Sequence, residues 1–291
     1  MKYMKILIKK NSSLYKKFLH TYMKLRRAPL VRVYIRYKFA KSYYTEKFKL
    51  VKRWSFLKTE SDNFYYDLTD KNLQDLIYLI ASLVGKSFNE VERYALEIKN
   101  NKELKHHIRS IISKNKDLRD VNIAFGRRIG WYILVRILKP KTVVETGVHH
   151  GVGACVISSA LMQNSLEGNQ GSYIGTDLDP NAGVLFCGQY KNFGKIMYGD
   201  SIQSLKKIDS TINLFINDSD HNPDYELREY ETVMKSLAKD FVILGDNSHV
   251  SSSLLYFAKK NDYKYIFFSE EPENHWYPGA GIGICTPSIP V

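Results

Sequence analysis

From Lys141 onward, short apolar runs alternate with segments of helical periodicity. This alternation constrains the fold more than any other feature of the 291-residue chain. "TVVETG", "SYIGTDLD", "KIMYGD", "NLFIND" and "DFVILGDN" read as strands. The helical segments between them are "GACVISSALMQN", "GVLFCGQYKNF", "SIQSLKKI" and "DYELREYETVMKSLA", and "SSLLYFAKKN" follows the fifth strand. Parallel neighbours need a crossover connection, so the pattern predicts an α/β fold with a mostly parallel sheet covered by helices on both faces. "YKYIFFSE" and "AGIGICT" close the pattern as two strands with no helix between them, so the last should run antiparallel to its neighbours.

Two further regions precede this one, giving an expected division into residues 1–59, 60–138 and 139–291. Over 60–138, Leu73, Leu76, Ile77, Ile80 and Leu83 recur at a helical period. Ser87 with Glu90 three residues on forms a capping box, and Trp131, Ile133, Leu134 and Ile137 make another apolar stripe that Pro140 ends. These residues read as a helical cap. Residues 1–60 hold 18 Lys and Arg against two acids, Glu46 and Glu60, whereas the remainder is slightly acidic. The basic arm, 1–59, interleaves those charges with Tyr, Phe and Leu. It suits helices lying on an anionic membrane surface, or packing on its own domain or a second protomer. No nucleic-acid recognition motif is present.

Three scattered cysteines without a CxxC argue against a disulfide framework and for a reducing compartment. "LIYLIASLVG" is about half the length that spans a bilayer, and "MKYMKILIKK" lacks the apolar run and cleavage site of a signal peptide. The expectation is a cytoplasmic protein, with peripheral membrane contact through the arm.

The chemistry-bearing residues gather where strands end. "VVETGVHHGVG" places Glu145, Gly147, Gly151 and Gly153 at a strand-to-helix turn, with His149 and His150 between them. The spacing is neither GxGxxG nor a P-loop. Asp177 closes the second strand, where a carboxylate can accept ribose hydroxyls, and Asp200 closes the third. Ligands of open α/β sheets bind at such carboxyl ends. "NDSDHNPDY" sets Asp218, Asp220 and His221 after the fourth strand. Helix capping accounts for Asn222, Pro223, Asp224 and Glu226 but not for those three. "GDN" puts Asp246 and Asn247 beside them if strands four and five are neighbours. His249, His275, Trp276 and Tyr277 are candidate substrate contacts; a loop histidine and a packed hairpin are the plainer readings.

Over roughly residues 125–285 these motifs, in this order, resemble the Rossmann-like class I S-adenosylmethionine-dependent methyltransferases. The nearest branch holds the caffeoyl-CoA, catechol and macrocin-type O-methyltransferases. The resemblance implies a seven-stranded sheet and S-adenosylmethionine as cofactor. Glu145 would hold its methionine end, Gly147 and Gly151 would make room, Asp177 would take the ribose and Asp200 would lie by the adenine. It also implies Mg²⁺ on Asp218, Asp246 and Asn247, a hard oxygen set. His221 stands where caffeoyl-CoA enzymes carry lysine, and can act as general base with Asp218 and Asp220 around it. The expected reaction is methyl transfer to a hydroxyl of a sugar, polyketide-like or aromatic small molecule. Two rivals remain open: a nicotinamide-dependent oxidoreductase, disfavoured by the glycine spacing, and a non-catalytic scaffold binding through its arm.

Overall fold

Caps written into the sequence start and stop the helices of the computed structural model, which describes residues 13–57, 65–115, 118, 123–246 and 248–287. The chain divides into two compact units, Met1–Leu57 and Lys58–Val291. In the first, α1 (Ser13–Arg27) and α2 (Pro29–Trp54) follow one another. Pro29 occupies the first turn of α2, where its missing N–H costs nothing, so it starts a helix rather than kinking one. No residue of α2 is buried.

In the second unit, α3 (Asp70–Val84) begins at Thr69, whose side chain accepts the Asn72 amide, and ends at Gly85 in the left-handed region. The expected stripe, Leu73, Leu76, Ile77, Ile80 and Leu83, is its buried face. Ser87 accepts the Glu90 amide at 3.3 Å and opens α4 (Phe88–Lys99). Asn101 likewise opens α5 (Lys102–Ile112) by accepting from Leu104. α6 (Arg128–Leu138) is buried continuously from Ile129 to Arg136, as befits a core helix apolar all round. Its one buried charge, Arg136, is tied to Glu97 and Glu167. Trp131 and Leu134 of α6 share a core with Val143 and Leu161 of the sheet domain.

The strands are β1 (Thr142–Thr146), β2 (Ser172–Asp177), β3 (Gly194–Tyr198), β4 (Ile212–Asn217), β5 (Leu237–Gly245), β6 (Lys264–Ser269) and β7 (Gly281–Thr286). They form one sheet in the order β3-β2-β1-β4-β5-β7-β6. The first five are parallel, and β7 runs antiparallel between β5 and β6, as the missing helix before it predicts. α7 (Val152–Leu166) packs on one face with α6. The other face carries α8 (Ser201–Leu205), α9 (Pro223–Val233) and α10 (Ser253–Lys260), with Phe215, Tyr230 and Phe257 at its centre.

One expected helix is absent. Residues 183–193 form turns and a short 3-10 segment, Gly188–Phe193, rather than an α-helix. Gly183 and Gly188 adopt φ of +79° and +58°, which breaks an α-helix twice within six positions. The apolar side chains there, Leu185 and Phe186, are buried all the same, so their spacing reflected burial and not helical period.

Candidate active site

From β1 the chain builds outward through β2 to β3, and from β4 outward the other way, so β1 and β4 flank the point where the winding reverses. A crevice is expected outside the strand ends there. A cavity of about 850 Å³ occupies it.

Glu145 is the penultimate residue of β1 and 1% exposed, and the Tyr173 hydroxyl donates to its Oε2. Burial pushes its pKa up to about 8 despite that donor. Next comes the turn 147–151. Gly147 (φ +82°) could not carry a Cβ, which would lie 1.9 Å from the Asp218 carbonyl oxygen. Its glycine is demanded by the loop after β4 packing on it. Gly151 (φ +93°) precedes α7, whose first turn has no acid and no side-chain cap. Its amides can therefore receive an anion.

Asp177 braces this turn. Its Oδ2 accepts the amides of Val148 and His149 at 2.9 and 2.8 Å, and its Oδ1 accepts that of Asp179 at 2.9 Å. A carboxylate has about four lone-pair sites, so one remains for a ribose hydroxyl. Asp200 is the N-cap of α8, accepting from the Gln203 amide, and also accepts from the Tyr225 hydroxyl at 2.8 Å. The amide bond holds its carboxyl below the usual range. Beneath these loops, buried Glu229 accepts from Ser201, Asn217 and Ser219, tying α8, β4 and its following loop to α9. Sequence reading missed Glu229, which looks like any helix-surface acid.

The far side of the cavity differs. β4 and β5 are neighbours, and Asp218 and Asp246 follow them side by side. Burial and the neighbouring Asp246 push Asp218 well above the ordinary carboxylate range. Burial works the same way on Asp246, but the Arg127 guanidinium outweighs it and holds that carboxyl below. Arg127, itself buried, forks onto Asp246 through Nε and Nη2, and its Nε lies 3.8 Å from Glu270 Oε1. Tyr66 donates to the other Glu270 oxygen at 2.6 Å. Sequence reading missed Arg127, Glu270 and Tyr66. The only visible signal was an Arg-Arg pair opening an apolar helix in "GRRIGW".

This arrangement does not fit the expected Mg²⁺ set. Both oxygens of Asp246 are taken by a fixed cation, and Asn247 lies outside the described residues. Among the described residues no three or more His, Cys, Asp or Glu converge as a metal site. The cofactor side does fit its implied guest: an acid in the cavity wall, open amides at a helix start, and a carboxylate with one site to spare.

The remaining candidates divide. Asp220 and His221 line the cavity from its exposed rim. His249 lines it half-buried, with the Tyr277 hydroxyl 3.2 Å from its Nε2, and burial holds its pKa below the ordinary value. His149 and His150 lie in the wall of the turn. His275 is buried and does not line the cavity; its Nδ1 accepts the Tyr277 amide. Trp276 does not line the cavity either, whereas Tyr277 does.

Residues 144–248 match the model of a family described as methyltransferase domain. Among solved structures, the chain is similar to the O-methyltransferase TomG from Streptomyces achromogenes, involved in tomaymycin synthesis and solved with SAM. That match has 12% identity and a TM-score of 0.49, over 65% of this chain and 91% of that one. An O-methyltransferase from Bacillus cereus in complex with SAH matches at 14% identity and TM-score 0.47, over 65% and 92%. The SAH-bound methyltransferase PaMTH1 from Podospora anserina matches at 14% and 0.48, over 69% and 94%. With TM-scores under 0.5 they add nothing to the strand order already described. No curated protein matches the sequence. Residues 144–248 of the chain carry a methyltransferase domain, on a Rossmann-like sheet of the order described. The nicotinamide reading falls away.

Proposed function

We propose that the enzyme transfers a methyl group to a hydroxyl of a small molecule, a sugar, polyketide-like or aromatic compound, and that it does so without a divalent cation. The observation that carries this is the Arg127–Asp246 fork at the ends of β4 and β5, opposite Glu145 and Asp177 in the same cavity. Glu145 would hold the cofactor's ammonium group, the first turn of α7 its carboxylate, and Asp177 a ribose hydroxyl, with Asp200 at the adenine end. When bound, S-adenosylmethionine supplies an electrophilic methyl on a sulfonium.

On the acceptor side, Arg127 uses two of its five N–H groups on Asp246. The others can hold an acceptor oxygen and favour its developing negative charge, the service a metal would otherwise supply. The acceptor's proton needs a neutral imidazole. His249 is the better placed of the two at hand, being half-buried next to this cluster, and His221 stands at the rim. Tyr277 and Tyr66 offer rings for stacking. Residues 60–138 act as the wall carrying Arg127, and residues 1–59 as a separate arm.

The test is calorimetric binding of S-adenosylhomocysteine, followed by transfer from labelled S-adenosylmethionine to a panel of hydroxylated acceptors, with Mg²⁺ or with EDTA. Binding lost in Asp177→Ala, and transfer at the same rate in EDTA, are expected. Failure to bind would sink the cofactor assignment. Transfer that stops in EDTA and returns with Mg²⁺ would instead overturn the role given to Arg127.

A further inference from the structure

The first unit, considered alone, offers a surface that nothing in the methyltransferase reading uses. α2 buries none of its 26 residues, yet many are large and apolar. Leu30, Tyr34, Tyr37, Tyr44, Phe48 and Val51 fall at spacings of three, four or seven residues, so they line one face of the helix. All six are exposed, Leu30 at 85% and Phe48 at 71%. Phe18, Leu19 and Met23 form a shorter exposed stripe on α1. Stripes of this kind are normally covered.

Charge decides what covers them. α2 carries eight Lys and Arg and a single acid, Glu46; α1 carries five and none. Lys41 lies on the apolar face itself, at the heptad position between Tyr37 and Tyr44. A second copy of the same helix would place like charges against one another with almost no acid to pair. An anionic lipid surface meets both demands: it accepts the apolar face to the depth of the acyl boundary and attracts the flanking cations, whose long stems reach the headgroups. Tyr34, Tyr37 and Tyr44 on that face suit the interface, where amphipathic rings concentrate. No described helix is long and apolar enough to cross a membrane, so α2, roughly 39 Å long, would lie along the surface.

We propose that α1 and α2 form a docking surface for anionic lipid membranes, holding the enzyme at a bilayer. The experiment is co-sedimentation of the full chain with vesicles of phosphatidylcholine alone, or of phosphatidylglycerol and phosphatidylcholine at three to seven. A duplex DNA is run as a second polyanion, and sedimentation equilibrium as a measure of self-association. Binding to the anionic vesicles only, falling as salt rises, is expected. Lys38→Gln/Lys41→Gln/Lys52→Gln should weaken it on the order of a hundredfold, each cation near such a surface contributing about fivefold. Tyr34→Ser/Tyr37→Ser/Phe48→Ser should abolish it at high salt. Both variants should keep wild-type helix content and bind S-adenosylhomocysteine normally, which separates this result from any failure of the active-site reading. No binding to anionic vesicles, equal binding to neutral ones, tighter binding to DNA, or a dimer that excludes vesicles would each overturn the proposal.

Discussion

The two sides of the cavity use the same raw material, carboxylates placed where strands end, and treat it differently. On the β1–β3 side, Asp177 and Asp200 accept backbone amides and, for Asp200, a tyrosine hydroxyl, all neutral donors. Their charge is organised but not cancelled, which leaves that side attractive to a cationic or hydroxyl-bearing guest. On the β4–β5 side a guanidinium lies across Asp246 and beside Glu270. There the charge is cancelled from within the chain. A carboxylate's neighbours, more than its place in the topology, therefore decide whether it can hold a ligand.

The largest effect should come from breaking the internal cancellation. Arg127→Ala removes the guanidinium that holds buried Asp246 and lies beside buried Glu270, leaving only the weaker influence of Arg128, and removing one partner of a buried pair costs about 3–5 kcal/mol. Urea unfolding should show that loss. The double variant Arg127→Met/Asp246→Asn should recover part of it, because position 246 then carries no unpaired buried charge and only Glu270 keeps the deficit. An Arg127→Ala protein as stable as wild type would show the fork to be incidental.

A smaller effect sharpens the other side. Glu145, at about 8, is mostly protonated at neutral pH in the empty site. A cationic cofactor group prefers the carboxylate, so binding must release a proton below pH 8. Affinity for S-adenosylhomocysteine should rise with pH, by at most about tenfold per unit, and level off above 8. Glu145→Gln should bind more weakly and without that slope; an unchanged slope would place the proton elsewhere. The smallest effect belongs to Asp200→Ala, where losing the cap of α8 should cost about 1 kcal/mol of stability. A much larger loss of cofactor affinity than of stability would give Asp200 a direct part in binding.

Much of the fold was legible from the alternation after Lys141, down to the reversed β7. The exception, 183–193, was misread because Leu185 and Phe186 are buried from a turn, where apolar spacing reports burial without helix. The capping box at Ser87 was legible because capping is local chemistry between residues three apart. Candidates on the cavity wall, Glu145, Asp177, Asp218, Asp246 and Tyr277, could be found by their places at strand ends or before the last strand. His275 and Trp276 could not be told from them, since they lie with Tyr277 in an irregular loop between β6 and β7, where no periodicity says which side chains face the cavity.

By itself, then, the sequence determined which segments are strands and helices and that carboxylates would crowd one edge of the sheet, because periodicity and strand ends are properties of neighbours along the chain. The tertiary structure alone decided what those carboxylates meet. Arg127 and Asp246 lie 119 residues apart, and no local pattern announces that a guanidinium opening α6 will come to rest across the end of β5. That contact exists because α6 must bury its apolar surface against α7, α4 and α3, and in doing so it delivers a cation to the cavity.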